Sequence, residues 1–360
     1  MKLFFTAVVM CFLTATVHAQ PKTFSVIAYF AGNTTNVDAY PIEKLTHIIF
    51  SFCHLKGNKL FVNNLKDSLM IQHLVLLKQR NPSLKVLLSL GGWGGCAPCS
   101  AVFATRKGRK QFARSAKRIS KYFKTDGIDL DWEYPAIAGF PGHAFVPEDK
   151  HNFTLLIEAL RKKFKHKYTI SFAAGGFSQY LQSSVEWDKV TPLVNNINVM
   201  TYDLVHGASK VTGHHTPLFS TAGQIESTDH AVHFLDSVGV PKNKIVIGAA
   251  FYARVFDVDT SLNNGLYQAG KFHNGIDFFR FNKDSLLHEG FNYYWDDAAK
   301  APYLYAPAKK QFITYDDEQS ILLKTKYVME QQLNGIMFWD LNADKTIGGL
   351  LEVIDKTLHQ

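Results

Sequence analysis

Residues 126 to 135 read Asp-Gly-Ile-Asp-Leu-Asp-Trp-Glu-Tyr-Pro, four acids within eight positions of an otherwise apolar run. Side chains of an extended strand alternate between faces, so Asp129, Asp131 and Glu133 share one face and Ile128, Leu130 and Trp132 take the other. Three carboxylates on one wall oppose each other's ionisation, and one of them is expected to keep a proton near neutral pH, as a general acid must. Glu133, last on the run, is the candidate. Asp126 falls outside the i, i+2 register and reads as structural. A helix-loop-helix calcium site is the competing reading, but it needs glycine at its sixth position, where Asp131 stands, and a turn rather than a β-run. Trp132, Tyr134 and the closing Pro135 fit a strand that ends in a binding cleft.

Outward from this strand, short apolar runs recur at Phe24 to Tyr29, His47 to Phe52, Val86 to Leu90, Thr169 to Ala173, Ile197 to Met200, Ile245 to Phe251 and Ile336 to Trp339. With Ile128 to Glu133 they make eight. Amphipathic stretches such as Lys66 to Gln79, Lys110 to Phe123, Asp149 to Phe164 and Asp229 to Val238 separate them. Repeated strand-helix units of this kind predict an α/β fold with a parallel sheet, and 360 residues suit a (β/α)8 TIM barrel with an insertion. Between Phe256 and Gln319 the pattern breaks into short aromatic-rich segments, which read as a small α+β insertion between strands 7 and 8.

The acidic run matches, without a substitution, the Asp-x-x-Asp-x-Asp-x-Glu signature of the family 18 glycoside hydrolases, the chitinase family. Lys85 to Trp93 (KVLLSLGGW), Met200 to Asp203 (MTYD), Phe251 to Arg254 (FYAR) and Gly335 to Asp340 (GIMFWD) resemble further family segments in the expected order. The resemblance implies one catalytic barrel over residues 20–360, with an insertion of about 256–319 forming one cleft wall. It also implies hydrolysis of β-1,4 links between N-acetylglucosamine units, in which the substrate's own 2-acetamido oxygen attacks the anomeric carbon. Glu133 would protonate the glycosidic oxygen and later activate water. Asp131 would bind the acetamido N–H, Asp129 would share a proton with Asp131, and Tyr202 would address the acetamido carbonyl, with Asp203 beside it. Trp339 would be the floor under the distorted sugar, and Tyr29, Phe52, Trp93, Met200, Tyr252 and Arg254 would line the cleft. No metal or cofactor is implied. Ala249, Ala250, Phe251 and Ala253 depart from the commoner Gly-x-Pro-x-Tyr-Gly of this family, which bears on subsite shape.

Residues 1–19 carry Lys2, an apolar stretch from Leu3 to Val17 and Val17-His18-Ala19, the order of a secretory signal, so cleavage is expected near Ala19 and the mature protein is expected to be extracellular or periplasmic. No later run is long enough to span a membrane. Lys2 is the only charged residue of that leader, which leaves 38 basic and 31 acidic residues, a formal +7. The basic clusters at Lys107 to Lys110 and Arg161 to Lys167 lie on amphipathic helices and read as solvated faces, so no nucleic-acid partner is expected. The expected partner is chitin or an N-acetylglucosamine oligosaccharide, taken by a monomer.

Cys53, Cys96 and Cys99 remain after the leader, an odd number. Cys96-Ala97-Pro98-Cys99 has no second Cys/His pair at metal-site spacing, and a disulfide, local or linked to Cys53, is expected. His214 and His215 match no metal motif and read as polar loop residues. Asn33-Thr34-Thr35 and Asn152-Phe153-Thr154 fit the glycosylation pattern. Two other functions use the same cleft: a non-catalytic chitinase-like lectin, which would typically lack the acid that Glu133 supplies, and an endo-β-N-acetylglucosaminidase acting on glycoprotein glycans.

Overall fold

The computed structural model describes residues 24–32 and 37–360. The leader, Cys11 and the Asn33 glycosylation site lie outside the described residues. In chain order the strands are β1 (Ser25–Phe30), β2 (His47–Lys56), β3 (Lys59–Phe61), β4 (Lys85–Gly91), β5 (Gly127–Asp131), β6 (Thr169–Gly175), β7 (Asn196–Met200) and β8 (Ile245–Ala250). There follow β9 (Tyr252–Val258), β10 (Gly270–Asp277), β11 (Asn292–Asp296), β12 (Ala301–Ala306), β13 (Gln311–Thr314) and β14 (Gly335–Trp339). The parallel order β1-β14-β8-β7-β6-β5-β4-β2 closes through β1 pairing with β2, giving an eight-stranded barrel, while β3 folds back on β2 as a hairpin.

Adjacent residues of each barrel strand face two different cores, which is why these strands read as continuous apolar runs. Ile48, Leu88, Ile128, Ile170, Val199, Ile247 and Ile336 pack outward against the helices. Ile27, Ile49, Leu87, Val246 and Met337 fill the bore, with Tyr29, Met200 and Tyr202 in the same cluster. The helices follow the sequence reading closely: Leu65–Leu76, Arg106–Phe123, Asp149–Phe164 and Thr228–Ser237. Thr105 caps the second of these by accepting from Gly108 N at 2.9 Å, and the helix buries Phe112, Ala113, Ala116 and Phe123 while its basic side chains alternate outward.

The basic cluster at the end of the third helix is less solvated than its composition suggests. The Arg161 guanidinium donates to the Leu193, Lys165 and Tyr168 carbonyls and to Asn195 Oδ1, so it ties the helix end to the following segments. Asn152, in the same helix, is 9% exposed and accepts from Arg109, a poor setting for a glycan.

The insertion is a five-stranded antiparallel sheet, β10-β9-β13-β12-β11, with a short helix Lys283–His288. Its sheet runs from Tyr252 to Thr314, so its first strand begins four residues before Phe256. Only Phe251 separates β8 from β9. The helix Glu318–Glu330 that follows belongs to the barrel, where Ile321 and Val328 join the outer core.

The cysteine alternatives resolve into one pair. Cys96 and Cys99 form the disulfide, and Cys53 is a buried free thiol whose pKa burial pushes up. Among the described residues no cluster of side chains suits a metal ion, and no helix is long and apolar enough to cross a membrane.

Behind the carboxyl ends of β7 and β8 lies a fully buried ion pair, Lys324 Nζ to Asp316 Oδ2 at 2.7 Å. Lys324 also donates to Thr216 Oγ1, and Asp316 accepts from Ala250 N at 3.0 Å and Ser320 Oγ at 2.7 Å. Breaking one half of such a pair strands the other charge. Lys324→Met is expected to lower the unfolding free energy by about 3–5 kcal/mol in denaturant titration at neutral pH. A loss below about 1 kcal/mol would mean that Asp316 finds another partner.

Candidate active site

The barrel register decides what surrounds the acidic strand. β5 lies between β4 and β6, with Asp129 opposite Ser89 on one side and Ser171 on the other. Both serines donate to Asp129, Ser89 Oγ to Oδ2 at 2.8 Å and Ser171 Oγ to Oδ1 at 2.6 Å. From across the bore, Tyr29 Oη donates to Oδ2 at 3.2 Å and Asn198 Nδ2 to Oδ1 at 3.3 Å, and Asn198 also donates to Tyr29 Oη at 3.0 Å. Asp129 is thus a fully buried carboxyl with four donors. Burial raises its pKa and the four hydrogen bonds oppose that rise.

Asp131 ends the strand opposite Gly91. It is buried, its Oδ1 has no hydrogen-bond partner, and its pKa stands well above the usual range, first through burial, then through the charges of Glu133 and Asp129. Gly91 is obligatory here, because a Cβ would lie 2.1 Å from Asp131 O and its φ is +110°. Gly92, at φ +79°, donates its N–H to the same carbonyl at 2.9 Å and leaves room for the Phe52 ring. This double-glycine turn presents Trp93, 57% exposed, with Phe140 edge-on at 5.5 Å. The Cys96–Cys99 disulfide sits behind it.

The strand stops at Asp131, so Glu133 is not its last residue, as the alternation suggested, but lies two positions beyond it. It nonetheless stays half-buried beside Tyr134. Burial lifts its pKa to about 7, against a hydrogen bond from Tyr134 and with help from the Asp203 charge.

Asp203 follows β7 and is met by Arg254 of β9, which donates from Nε at 2.8 Å and Nη2 at 2.6 Å, a two-pronged ion pair joining barrel to insertion. Burial works against the Asp203 anion, but His215 and Arg254 outweigh it and hold the carboxyl well below the usual range. His215 lies in a loop, as its sequence context suggested, but is fully buried there: Nδ1 lies 3.6 Å from Asp203 and the ring 5.2 Å from Tyr252, and burial depresses its pKa. His214 is buried as well, with Nε2 2.9 Å from Asp296 Oδ2. Their burial was not legible, because a polar pair in a loop gives no sign that the insertion will close over it.

Tyr202 packs in the bore with Met200, its hydroxyl 3.8 Å from Met337 Sδ, and burial raises its pKa. Tyr252 lies against it at 6.2 Å. Trp339 ends β14, stacked with Phe52 at 5.6 Å and 14° and tilted against Tyr29 at 6.0 Å. Asp126 stands apart, accepting from Val86 N at 2.7 Å and pairing with Lys78 at 2.6 Å, a brace at the start of the strand. The carboxyl ends of β1, β2, β4, β5, β7 and β14, together with β9, thus converge on one site, where carboxyls whose pKa values burial raises face the Asp203–Arg254 pair and an aromatic floor.

A sequence profile described as Glycosyl hydrolases family 18 matches residues 10–344, and the chain belongs to that family. Chitinase A1 of Niallia circulans is 37% identical over 300 residues, 76% of this chain and 43% of that protein. Chitinase B of Serratia marcescens is 31% identical over 402 residues, 92% of this chain and 79% of that protein. A solved structure described as a family 18 N-acetylglucosaminidase from Paenibacillus barengoltzii is similar with a TM-score of 0.83 at 36% identity, covering 93% of this chain and 100% of that one. The chain therefore matches less than half the length of Chitinase A1.

Because the folded pKa of Glu133 lies above its unfolded value, the native state holds that proton more tightly, and Glu133 costs stability as pH rises from about 4.5 towards 7. Glu133→Gln is expected to melt higher than the parent at pH 8 and close to it at pH 4. Equal differences at both pH values would show that the carboxyl titrates normally.

Proposed function

We propose that this chain is a secreted chitinase that hydrolyses β-1,4 links between N-acetylglucosamine units with retention at the anomeric carbon. The observation that carries the reading is the graded carboxyl set. Asp129 is tied by four donors, Asp131 is crowded and short of a partner, and Glu133 holds a proton to about pH 7. A general acid working near neutral pH needs that last property.

In this mechanism Glu133 gives its proton to the glycosidic oxygen as that bond breaks, and the acetamido oxygen of the same sugar closes on the anomeric carbon. Asp131 accepts a hydrogen bond from the acetamido N–H and offsets the positive charge of the cyclic intermediate. Glu133, now ionised, takes a proton from the water that opens the ring. Asp129 supports Asp131 and can pass a proton to it. Tyr202 orients the acetamido carbonyl, and Asp203, fixed by Arg254 and His215, holds up the proton affinity of Glu133. Trp339 with Phe52 and Tyr29 underlies the sugar, and Trp93, Met200 and Tyr252 extend the wall. The leader-like residues 1–19 support export, and a monomer acting on chitin oligosaccharides fits a site built from side chains of one chain.

The resemblance to an N-acetylglucosaminidase over that enzyme's full length favours a second reading, release of single sugars from a chain end. Hydrolysis of the N-acetylglucosamine tetramer, followed by product and anomeric form, tests both. Dimers released as β-anomers are expected for the chitinase and monomers for the second reading. Glu133→Gln is expected to lose at least about 100-fold in kcat. Binding of the tetramer without cleavage by the parent chain would establish a lectin instead.

The pH profile gives a separate check. Activity is expected to fall as pH rises through about 7, where Glu133 loses its proton. Asp203→Asn removes a charge that raises that pKa, so its alkaline limb is expected at lower pH. A limb unmoved by this change would separate Asp203 from the acid.

A further inference from the structure

The helix Arg106–Phe123 carries eight basic residues and no acid, and the mechanism uses none of them. Arg109 and Lys117 are spent inside the fold: the first donates to the Phe103 carbonyl and to Asn152 Oδ1, and the second lies over the Tyr168 ring at 3.2 Å. Arg106, Lys107, Lys110, Arg114, Arg118 and Lys121 are exposed, and among the described residues none of them has a carboxylate partner. The remaining residues of the chain, 1–23 and 33–36, contain no Asp or Glu.

Between this helix and the β2–β3 hairpin opens a cavity of about 240 Å³, lined by Lys59, Gln111, Arg114, Ser115 and Arg118. Two hydrogen bonds pin its walls together. Leu60 N donates to Ser115 Oγ at 2.9 Å and Asn58 Nδ2 to Gln111 Oε1 at 3.1 Å, so Gln111 keeps its amide N–H groups as the donors it can offer. Three cations and an amide therefore line one preformed space in which no wall is acidic.

This arrangement works against the helix that carries it. Arg106 and Lys107 occupy the first turn, where the backbone dipole favours acids, and Arg106, Lys110, Arg114 and Arg118 make three successive like-charge pairs at four-residue spacing. A solvated face does not require this. The exposed side of Asp149–Phe164 includes Glu158, and that of Glu318–Glu330 sets Glu318 and Glu330 beside Lys326. Helix geometry stretches the row over about 18 Å from Arg106 to Arg118, about 6 Å per step, which suits a chain of repeated anions better than a single ion. Guanidinium and ammonium groups hold sulfate and phosphate esters by charge-assisted hydrogen bonds. The cavity has no aromatic wall on which a base could stack and no apolar wall for an acyl chain, which favours a glycan over a nucleic acid or a lipid.

We propose that the cavity and the row above it are a binding site for a linear polysaccharide bearing sulfate or phosphate esters, with one ester seated among Lys59, Arg114 and Arg118. The site lies on the outer wall of the barrel, apart from the acidic strand, and does not depend on the reaction proposed above. It gives the enzyme a hold on an anionic matrix while the cleft stays free.

The test is calorimetric titration of dextran sulfate and dextran phosphate, with unmodified dextran as the blank, into the parent chain and two double variants. Arg114→Gln with Arg118→Gln removes two charges from the site, and Lys162→Gln with Lys163→Gln removes two exposed charges from another helix. Glutamine keeps the helix propensity in both, so the fold is retained. The charged dextrans are expected to bind the parent, to bind the arginine variant at least about tenfold more weakly and to bind the lysine variant within about twofold of the parent. Both variants are expected to match the parent in hydrolysis of the N-acetylglucosamine tetramer. Equal weakening in the two variants would reduce the effect to net charge and overturn the site. Absence of binding overturns it too, as does an oligodeoxynucleotide or an anionic lipid vesicle bound as tightly as the charged dextrans. Binding of either ester polymer that depends on the two arginines upholds the site even if the parent leaves the tetramer uncut, an outcome that would sink only the chitinase reading.

Discussion

The Asp129 carboxyl is held by donors from four other strands, β1, β4, β6 and β7, and this one group ties together the bore of the barrel. A buried carboxyl is tolerated only when its oxygens are satisfied, and satisfying them fixes the register of the strands on both sides. The same register brings Gly91 beside Asp131 and lets the turn at Gly92 and Trp93 sit over the end of the acidic strand. Folding and site assembly therefore depend on one network, in which the polar centre of the barrel supports the reactive end.

A second network sets the electrostatics above it. Arg254 belongs to the insertion, and Asp203 and His215 belong to the segment between β7 and β8, so the pair joins two parts of the fold at the point where charge matters most. Lys324 and Asp316 brace the same region from behind through Thr216 and the Ala250 backbone. Burial pushes Asp203, Asp131 and Glu133 alike towards the protonated form, yet the pKa of Asp203 ends below the usual carboxylate range and those of the other two above it. Neighbours decide the difference. Asp203 has a guanidinium, and Asp131 has other carboxyls.

Much of this was legible in the sequence, for physical reasons that differ by element. The eight barrel strands stood out because a sheet buried on both faces requires unbroken apolar runs, and the acidic motif stood out because acids in such a run are costly without a purpose. The start of the insertion was placed late, at Phe256, because only Phe251 separates β8 from β9 and no turn marks the passage from one sheet to the other. The alternation also carried the acidic strand to Glu133, whereas β5 stops at Asp131. Ser89, Ser171, Asn198 and His215 were invisible as partners, because each is an ordinary polar residue until pairing across the barrel places it against a carboxyl. The pairing of Cys96 with Cys99 rather than with Cys53 likewise needed coordinates.

Phe251 is the single residue between a barrel strand and the first strand of the insertion. It is fully buried, stacks on Phe338 at 4.1 Å, and donates its N–H to the Trp339 carbonyl at 2.9 Å. A linker this short and this tightly packed has no slack to act as a hinge. The wall that the insertion builds therefore continues directly from the barrel strand, with one buried residue as the joint. The size of the side chain at position 251 then sets how closely the insertion sheet seats on the barrel, although that residue brings no polar group to the site.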